Sequence, residues 1–299
     1  DIAKLDASAA GFTSGEDVVY KGSVTKWVKF ANTLRMKLAM IVADENASAA
    51  KTAVEASDAG AISASTDNGL FTYLSASPNQ NPLHVDIVLG GRQDYIAAKD
   101  LMDKLTGWND PRKTAYFSTN NAGNYAGGIV GKVNTYVDFS RAGAKVIAAD
   151  APYVLADYVE TEFLRAEAKE RGFNVAGTAE QHYNNAITAS ILYWGGTQAD
   201  ADAYLAQPDV AYTTAAGNWK QKIGTQKWIA LYNRSFETWT ELRRLDYPVI
   251  TAPVNAKSGF PTRLTYPNTE QTLNGTSYTA AAAAIGGDVV TTKLFWDKN

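Results

Sequence analysis

TKWVKFANTLRMKLAMIVAD, residues 25–44, is the stretch on which the fold turns. Trp27, Phe30, Ala31, Leu34, Leu38 and Ile41 recur at the 3.6-residue spacing of one helical face. Lys26, Lys29 and Lys37 lie off that stripe and are expected in water. Ser23 or Thr25 suits the N-cap. The spacing therefore predicts an amphipathic helix over Thr25–Asp44. An Ala-rich helix over Ala47–Ala59 follows a short link and stops at Gly60, which makes an αα-hairpin.

Outward from this hairpin the same reading predicts helices over Arg92–Leu105, Leu155–Arg171, Thr178–Trp194, Asp200–Ala206 and Thr225–Leu245. Residues 1–22 form a leading segment without period. Residues 61–91 and 108–152 form two long irregular connections rich in Gly, Pro and Asn. The tail after Pro248 is loop-like except for the Ala run at 280–284. Trp27-x2-Phe30-Ala31-x2-Leu34 fits the first helix of a tetratricopeptide unit, and Ala179-x3-Tyr183-x2-Ala186 fits the second. The fold class expected is all-α, with tetratricopeptide-like helix pairs joined by long irregular loops, in a single helical domain over residues 1–299.

Composition narrows the function. The 299 residues carry 28 basic and 31 acidic side chains, for a net charge of −3. No field of one sign draws in nucleic acid. No apolar run reaches the roughly 18 residues that a membrane-spanning helix needs. Cysteine is absent, which removes disulfides, thiolate nucleophiles and iron–sulfur clusters. His84 and His182 are far apart, so neither a metal centre nor a cofactor is expected. The chain starts at Asp1 without a signal peptide, as a processed protein or a piece of a longer one would.

The motifs with possible chemistry read as structural. Gly127-Gly-Ile-Val-Gly131-Lys132 lacks the first glycine and the Ser or Thr of a phosphate loop, so its glycines serve an unusual backbone path. Glu160, Glu162, Glu167 and Glu170 lie among Arg165, Lys169 and Arg171, the pattern of a solvated helix face with i,i+4 pairs rather than of two acids across a cleft. Arg243-Arg244 reads as a salt-bridge or helix C-terminal feature. No catalytic residue is expected.

That leaves the rings in the irregular segments: Tyr73, Trp108, Tyr125 and Tyr136. Helix packing does not account for all of them. Aromatic faces stack on the C–H faces of sugars while neighbouring Asn and Asp take the hydroxyls. These four are the candidate ligand-binding residues. The competing reading is that they pin the loops to the scaffold.

Several segments go beyond generic helix patterns. Lys26-Trp-Val-Lys-Phe-Ala-Asn-Thr-Leu-Arg-Met-Lys-Leu-Ala-Met40 resembles the W-x-K-F-A-N-S-L-R-L-R-L-A helix of SusD/RagB proteins. Asn109-Asp-Pro-Arg112 is similar to the family's DPR element, and Phe163-Leu-Arg-Ala-Glu-Ala168 to its F-L-R-A-E-A helix. Tyr183-Asn-Asn-Ala-Ile187, Gln226-Lys-Trp-Ile-Ala230 with Glu237 to Arg244, and Arg263-Leu-Thr-Tyr-Pro267 follow in the family's order. The resemblance implies a non-enzymatic nutrient-binding lipoprotein with tetratricopeptide units. Such a protein captures glycans, or peptides, outside the outer membrane and delivers them to a SusC-like TonB-dependent transporter. It touches the membrane only through a lipid anchor outside this chain. The family's lipid-bearing cysteine and large N-terminal part have no counterpart here, so the chain is expected to be a C-terminal portion. The alternative is a helical-repeat scaffold serving mainly protein–protein docking.

Overall fold

The structure is a computed structural model that describes residues 2–9 and 11–298. The Ser23 hydroxyl accepts from the Lys26 N–H and starts α1 (Val24–Ile41), and Asn46 does the same for Ala49 at the head of α2 (Ala47–Asp58). β1 (Gly69–Phe71) and a π-helical turn at His84–Leu89 follow. Then come α3 (Lys99–Gly107), α4 (Lys113–Tyr116), β2 (Phe117–Ser118), β3 (Arg141–Ala142) and β4 (Tyr153–Ala156). β1 pairs antiparallel with β4, and β2 with β3. A second helical hairpin is built from α5 (Tyr158–Glu170), capped by Asp157, and α6 (Ala179–Tyr193), capped by Thr178. α7 (Gln198–Leu205) opens on a capping box between Thr197 and Asp200. α8 (Trp219–Ala230), α9 (Ser235–Leu245), α10 (Asn268–Leu273) and α11 (Gly275–Ala284) complete the chain.

The expected helical hairpins are present, and the strands are short ribbons stitched into the loops. α5 lies in the middle and packs against α1, α2, α6 and α8. One core joins Phe163, Tyr183, Ala186 and Ile187 of the α5–α6 hairpin to Tyr204 and Ile223. Among the described residues no helix is long and apolar enough to cross a membrane.

Four sequence expectations are corrected. The buried face of α1 is not the stripe read from spacing. Met36, Ala39, Met40 and Ala43 pack against Leu164 of α5 and Val54 of α2, while Leu34 and Leu38 are 42% and 56% exposed. Trp27 and Phe30 instead pack edge-on against each other and Tyr20, the Trp27 indole lying 5.0 Å from the Tyr20 ring. Second, the helix expected from Arg92 begins only at Lys99. The Ala97 N–H donates to the Ser140 carbonyl, and Gly128 donates back to the Ala97 carbonyl at 2.8 Å, so residues near 97 belong to a β-like pairing. Third, Thr225–Leu245 is two helices. Leu231 ends α8, and Asn233 turns the chain at φ 64°, a left-handed conformation that asparagine tolerates. Fourth, Leu155 and Ala156 belong to β4, where Ala156 pairs with Gly69 of β1, so α5 starts at Tyr158.

The acidic cluster of α5 is also corrected. It is not a solvated face: Glu160, Glu162 and Glu167 are each at most 2% exposed. Because α5 is surrounded by other helices, its carboxylates meet cations from those helices. Glu160 accepts from Arg234 in the α8–α9 turn and lies 3.2 Å from Lys37 of α1. Lys37 is thus half-buried rather than free in water. Glu167 accepts from Arg244 of α9 and, at 2.7 Å, from Arg171. Arg244 also holds Glu241 at 2.6 Å, and Lys227 lies 3.0 Å from Glu241. Burial pushes these carboxyls up, but the cations more than offset it, and Glu241 is pulled down to about 2 by Arg244 and Lys227. Arg244 is therefore the salt-bridge feature expected, and Arg243 lies between the Trp239 and Trp296 rings at 3.8 and 4.8 Å.

His182 joins α6 to α5. Its Nε2 lies 2.7 Å from the Ala176 carbonyl, which only accepts, so Nε2 carries a proton. Its Nδ1 lies 2.8 Å from Glu162, which also accepts from Arg165 and Asn185 and so is a carboxylate. Both ring nitrogens donate, and the folded state holds an imidazolium. Burial pulls its pKa down, but the bonds to Glu162 and Ala176 outweigh burial and Arg165, and the net shift is upward from 6.5.

Two outcomes test this core. Arg244→Met leaves Glu167 and Glu241 buried without their shared cation and is expected to cost about 3–5 kcal/mol in urea unfolding. A loss below about 1 kcal/mol would mean that the network relaxes freely. For His182 the folded pKa lies above the unfolded one. Its contribution is complete below about pH 6.5 and fades as pH rises through the raised folded pKa. The melting-point gap between the protein and His182→Gln is therefore expected to be widest in mild acid and to narrow toward alkaline pH. A gap that widens with pH contradicts the imidazolium.

Candidate ligand-binding surface

Trp108 follows directly on α3, where its N–H donates to the Lys104 carbonyl. The chain then turns through Asn109 at φ 46°, and Asp110 N–H returns to the Leu105 carbonyl at 2.8 Å. The anchor is Arg112, whose side chain is completely buried with that of Asp110 at 2.6 Å. Arg112 also donates to Ser190 of α6 and Gln226 of α8, and lies 5.4 Å from the Tyr204 ring. Burial disfavours its charge, and Asp110 more than restores it, so the pKa moves up. A charge fixed from three helices thus sets the position of Trp108.

Tyr125 and Tyr136 lie on segments that run side by side. Asn121 N–H donates to the Val137 carbonyl, and Ser140 N–H donates to the Ala126 carbonyl at 2.8 Å. Trp108 and Tyr125 both pack on the cluster of Met102, Leu105, Tyr116 and Phe117. Tyr73 lies just past β1, edge-on to Phe71 at 5.2 Å. All four rings are half-buried. The structure therefore brings Trp108 and Tyr125 onto one cluster and Tyr136 onto the segment beside Tyr125, while Tyr73 stands apart, beyond the end of β1. Among the described residues no two of the four form a ring pair.

Three of the rings carry a cation over the face. Lys104 Nζ stands 4.5 Å from Trp108, Lys113 Nζ 5.1 Å from Tyr125, and the Arg141 guanidinium 5.3 Å from Tyr136. Each such contact at a partly exposed site is worth about 0.5–1 kcal/mol. It fixes the ring plane, yet a long flexible side chain can leave it for a better partner.

Trp108 also lines a cleft of about 310 Å³ whose far side comes from α8 and the loop before it, through Asp209, Gln221 and Thr225. Sequence reading did not single out those three, since nothing in their spacing links them to residue 108. The glycine-rich stretch is structural, as read. Gly131 sits at φ 86° and a Cβ there would lie 2.4 Å from the Val254 carbonyl oxygen, so only glycine fits the approach. Among the described residues no group of three His, Cys, Asp or Glu side chains could hold a metal ion.

Known structures share this fold. A chitin-binding SusD homolog from Flavobacterium johnsoniae is 28% identical with a TM-score of 0.86, covering 100% of this chain and 70% of its own. A SusD homolog from Bacteroides uniformis is also 28% identical, with a TM-score of 0.87 and the same coverage. One from Bacteroides thetaiotaomicron is 25% identical at a TM-score of 0.83, covering 100% and 71%. No curated protein matches the chain significantly. Residues 1–267 match the SusD-like family described as starch-binding and associating with the outer membrane. With that match, and with the buried Asp-Pro-Arg anchor and the paired helices in place, the chain belongs to the SusD-like family, whose members bind carbohydrate and do not catalyse.

Proposed function

We propose that this protein captures glycans at the outer face of the outer membrane, through Tyr73, Trp108, Tyr125 and Tyr136, and hands them to a SusC-like TonB-dependent transporter. The observation that carries the reading is the set of half-buried rings held on irregular connections by a stiff helical frame. Membership in a starch-binding family and likeness to a chitin-binding homolog support a glycan over a peptide. Residues 1–299 act as one SusD-like helical domain, attached to the membrane by a lipid anchor outside this chain.

The cations over the rings give capture a physical route. A sugar ring takes the place of Lys104 on Trp108, its C–H face replacing the ammonium. The displaced lysine donates to a hydroxyl of the same sugar, so the cation contact is exchanged for a hydrogen bond. Arg141 at Tyr136 and Lys113 at Tyr125 act alike. Protein docking is the second reading, favoured by Leu34 and Leu38 exposed on α1 and Phe236 exposed on α9. Lys37 lies 3.8 Å from Glu237 and so brings those two helix faces together.

Calorimetry with starch and chitin oligosaccharides and with peptides tests capture. Trp108→Ala and Tyr125→Ala are each expected to weaken glycan binding at least about fivefold. Equal affinity in all three proteins removes those rings from the site. Pull-down from outer-membrane extract tests delivery: a co-purifying TonB-dependent transporter is expected whether or not glycan is present. A transporter retained by a protein that binds no sugar or peptide favours docking alone.

A further inference from the structure

We infer that the cleft between Trp108 and the first half of α8 is a distinct subsite that takes a single pyranose ring of a glycan. The inference rests on the glycan reading above and adds where one sugar unit is read.

Size comes first. The cleft measures about 310 Å³, at the low end of the roughly 300–1,000 Å³ typical of small-molecule sites, so it suits one ring rather than a run of them. Two of its polar groups are already engaged: the Tyr183 hydroxyl is spent on the Val210 carbonyl at 2.8 Å, and Gln226 on Tyr204 and Arg112.

The walls suit a sugar. Trp108 offers an indole, and Ala215 and Ala216 offer methyl groups, matching the C–H surfaces of a pyranose. The Thr225 side chain is the informative group. The residue is 6% exposed and lines the cleft, and its hydroxyl has no hydrogen-bond partner among the described residues. An unengaged hydroxyl that opens into a cleft can both donate to and accept from a polar ligand atom. Asp209 adds an acceptor and Gln221 both a donor and an acceptor, which serves hydroxyls that both give and take.

Lys104 and Lys222 line the cleft with Asp209, and Lys222 donates to the Tyr212 carbonyl at 2.7 Å, so donors of both cations and an anionic acceptor face the space. The site is also built in advance. Arg112 fixes Trp108, and the Thr214 hydroxyl closes the opposite loop on the Pro208 carbonyl at 2.8 Å. Gly217, at φ 89°, leaves room for Gln221, whose Oε1 would lie 2.0 Å from any Cβ there.

The test is calorimetry of the whole chain with glucose, galactose and N-acetylglucosamine, and with their linear oligosaccharides. At least one monosaccharide is expected to bind. Thr225→Val, which removes only the hydroxyl, is expected to weaken it about five- to tenfold. Asp209→Asn, on an exposed loop, is expected to weaken it as well and keeps the test open if the Val variant does not fold. Oligosaccharide binding with no monosaccharide binding overturns the subsite alone. So does a monosaccharide affinity untouched by either variant. If no sugar of any length binds, glycan capture falls with it.

Discussion

A carboxylate leaves water only where cations come with it, and α5 takes three carboxylates out of water at once. Each finds its counter-charge on a different part of the chain: Glu160 on Arg234 and Lys37, Glu162 on Arg165 and His182, Glu167 on Arg244 and Arg171. Desolvating each ion costs several kcal/mol, and only close, multiply bonded geometry returns it. The helices therefore have little freedom to slide. Shifting α1, α8 or α9 by one turn would strand a charge in the interior. Hydrophobic packing supplies the bulk of the stability, and the charges supply the register.

That register reaches the loops through Arg112. The same α8 that carries Lys227 to Glu241 carries Gln226 to Arg112, and α6, which carries His182 to Glu162, carries Ser190 to Arg112. Trp108, four residues before Arg112, is thus held by the charge system of the core. Tyr125 follows by packing on Tyr116 and Phe117. Pre-fixing the rings removes part of the ordering cost that a ligand would otherwise meet. Irregular loops can hold their rings in place because the frame beneath them is fixed by the buried ion pairs.

Much of this was legible in the sequence, unevenly. Helix existence was, because Ser23, Asn46 and Thr178 cap where polar residues precede periodic runs. The family motifs fell on the packing residues that make the hairpins. The orientation of α1 was not legible. Its two adjacent faces, Leu34–Leu38 and Met36–Met40, are both apolar, and only the partner helices decide between them. The break at Asn233 was hidden because the residues around it keep a helical period. The burial of Glu160 and Glu167 was missed for a related reason. Acid–base spacing along one helix looks alike whether the partners are on that helix or on others, and here the closest cations to Glu160 come from α1 and the α8–α9 turn. The cleft beside Trp108 joins residues more than a hundred positions apart, and no local pattern encodes that.

The buried acids also account for binding without cleavage. Glycoside hydrolysis asks one carboxyl to keep its proton near neutral pH, which requires burial without a neighbouring cation, so that its pKa rises. α5 and α9 do the reverse. Glu160, Glu162, Glu167 and Glu241 are buried, yet every one is moved below its ordinary value by the arginines, lysines or histidine beside it. They are ionised at neutral pH with no proton to give, and their oxygens are taken up by those cations. The pairing that stiffens the frame thus makes its most conspicuous carboxylates inert toward a sugar.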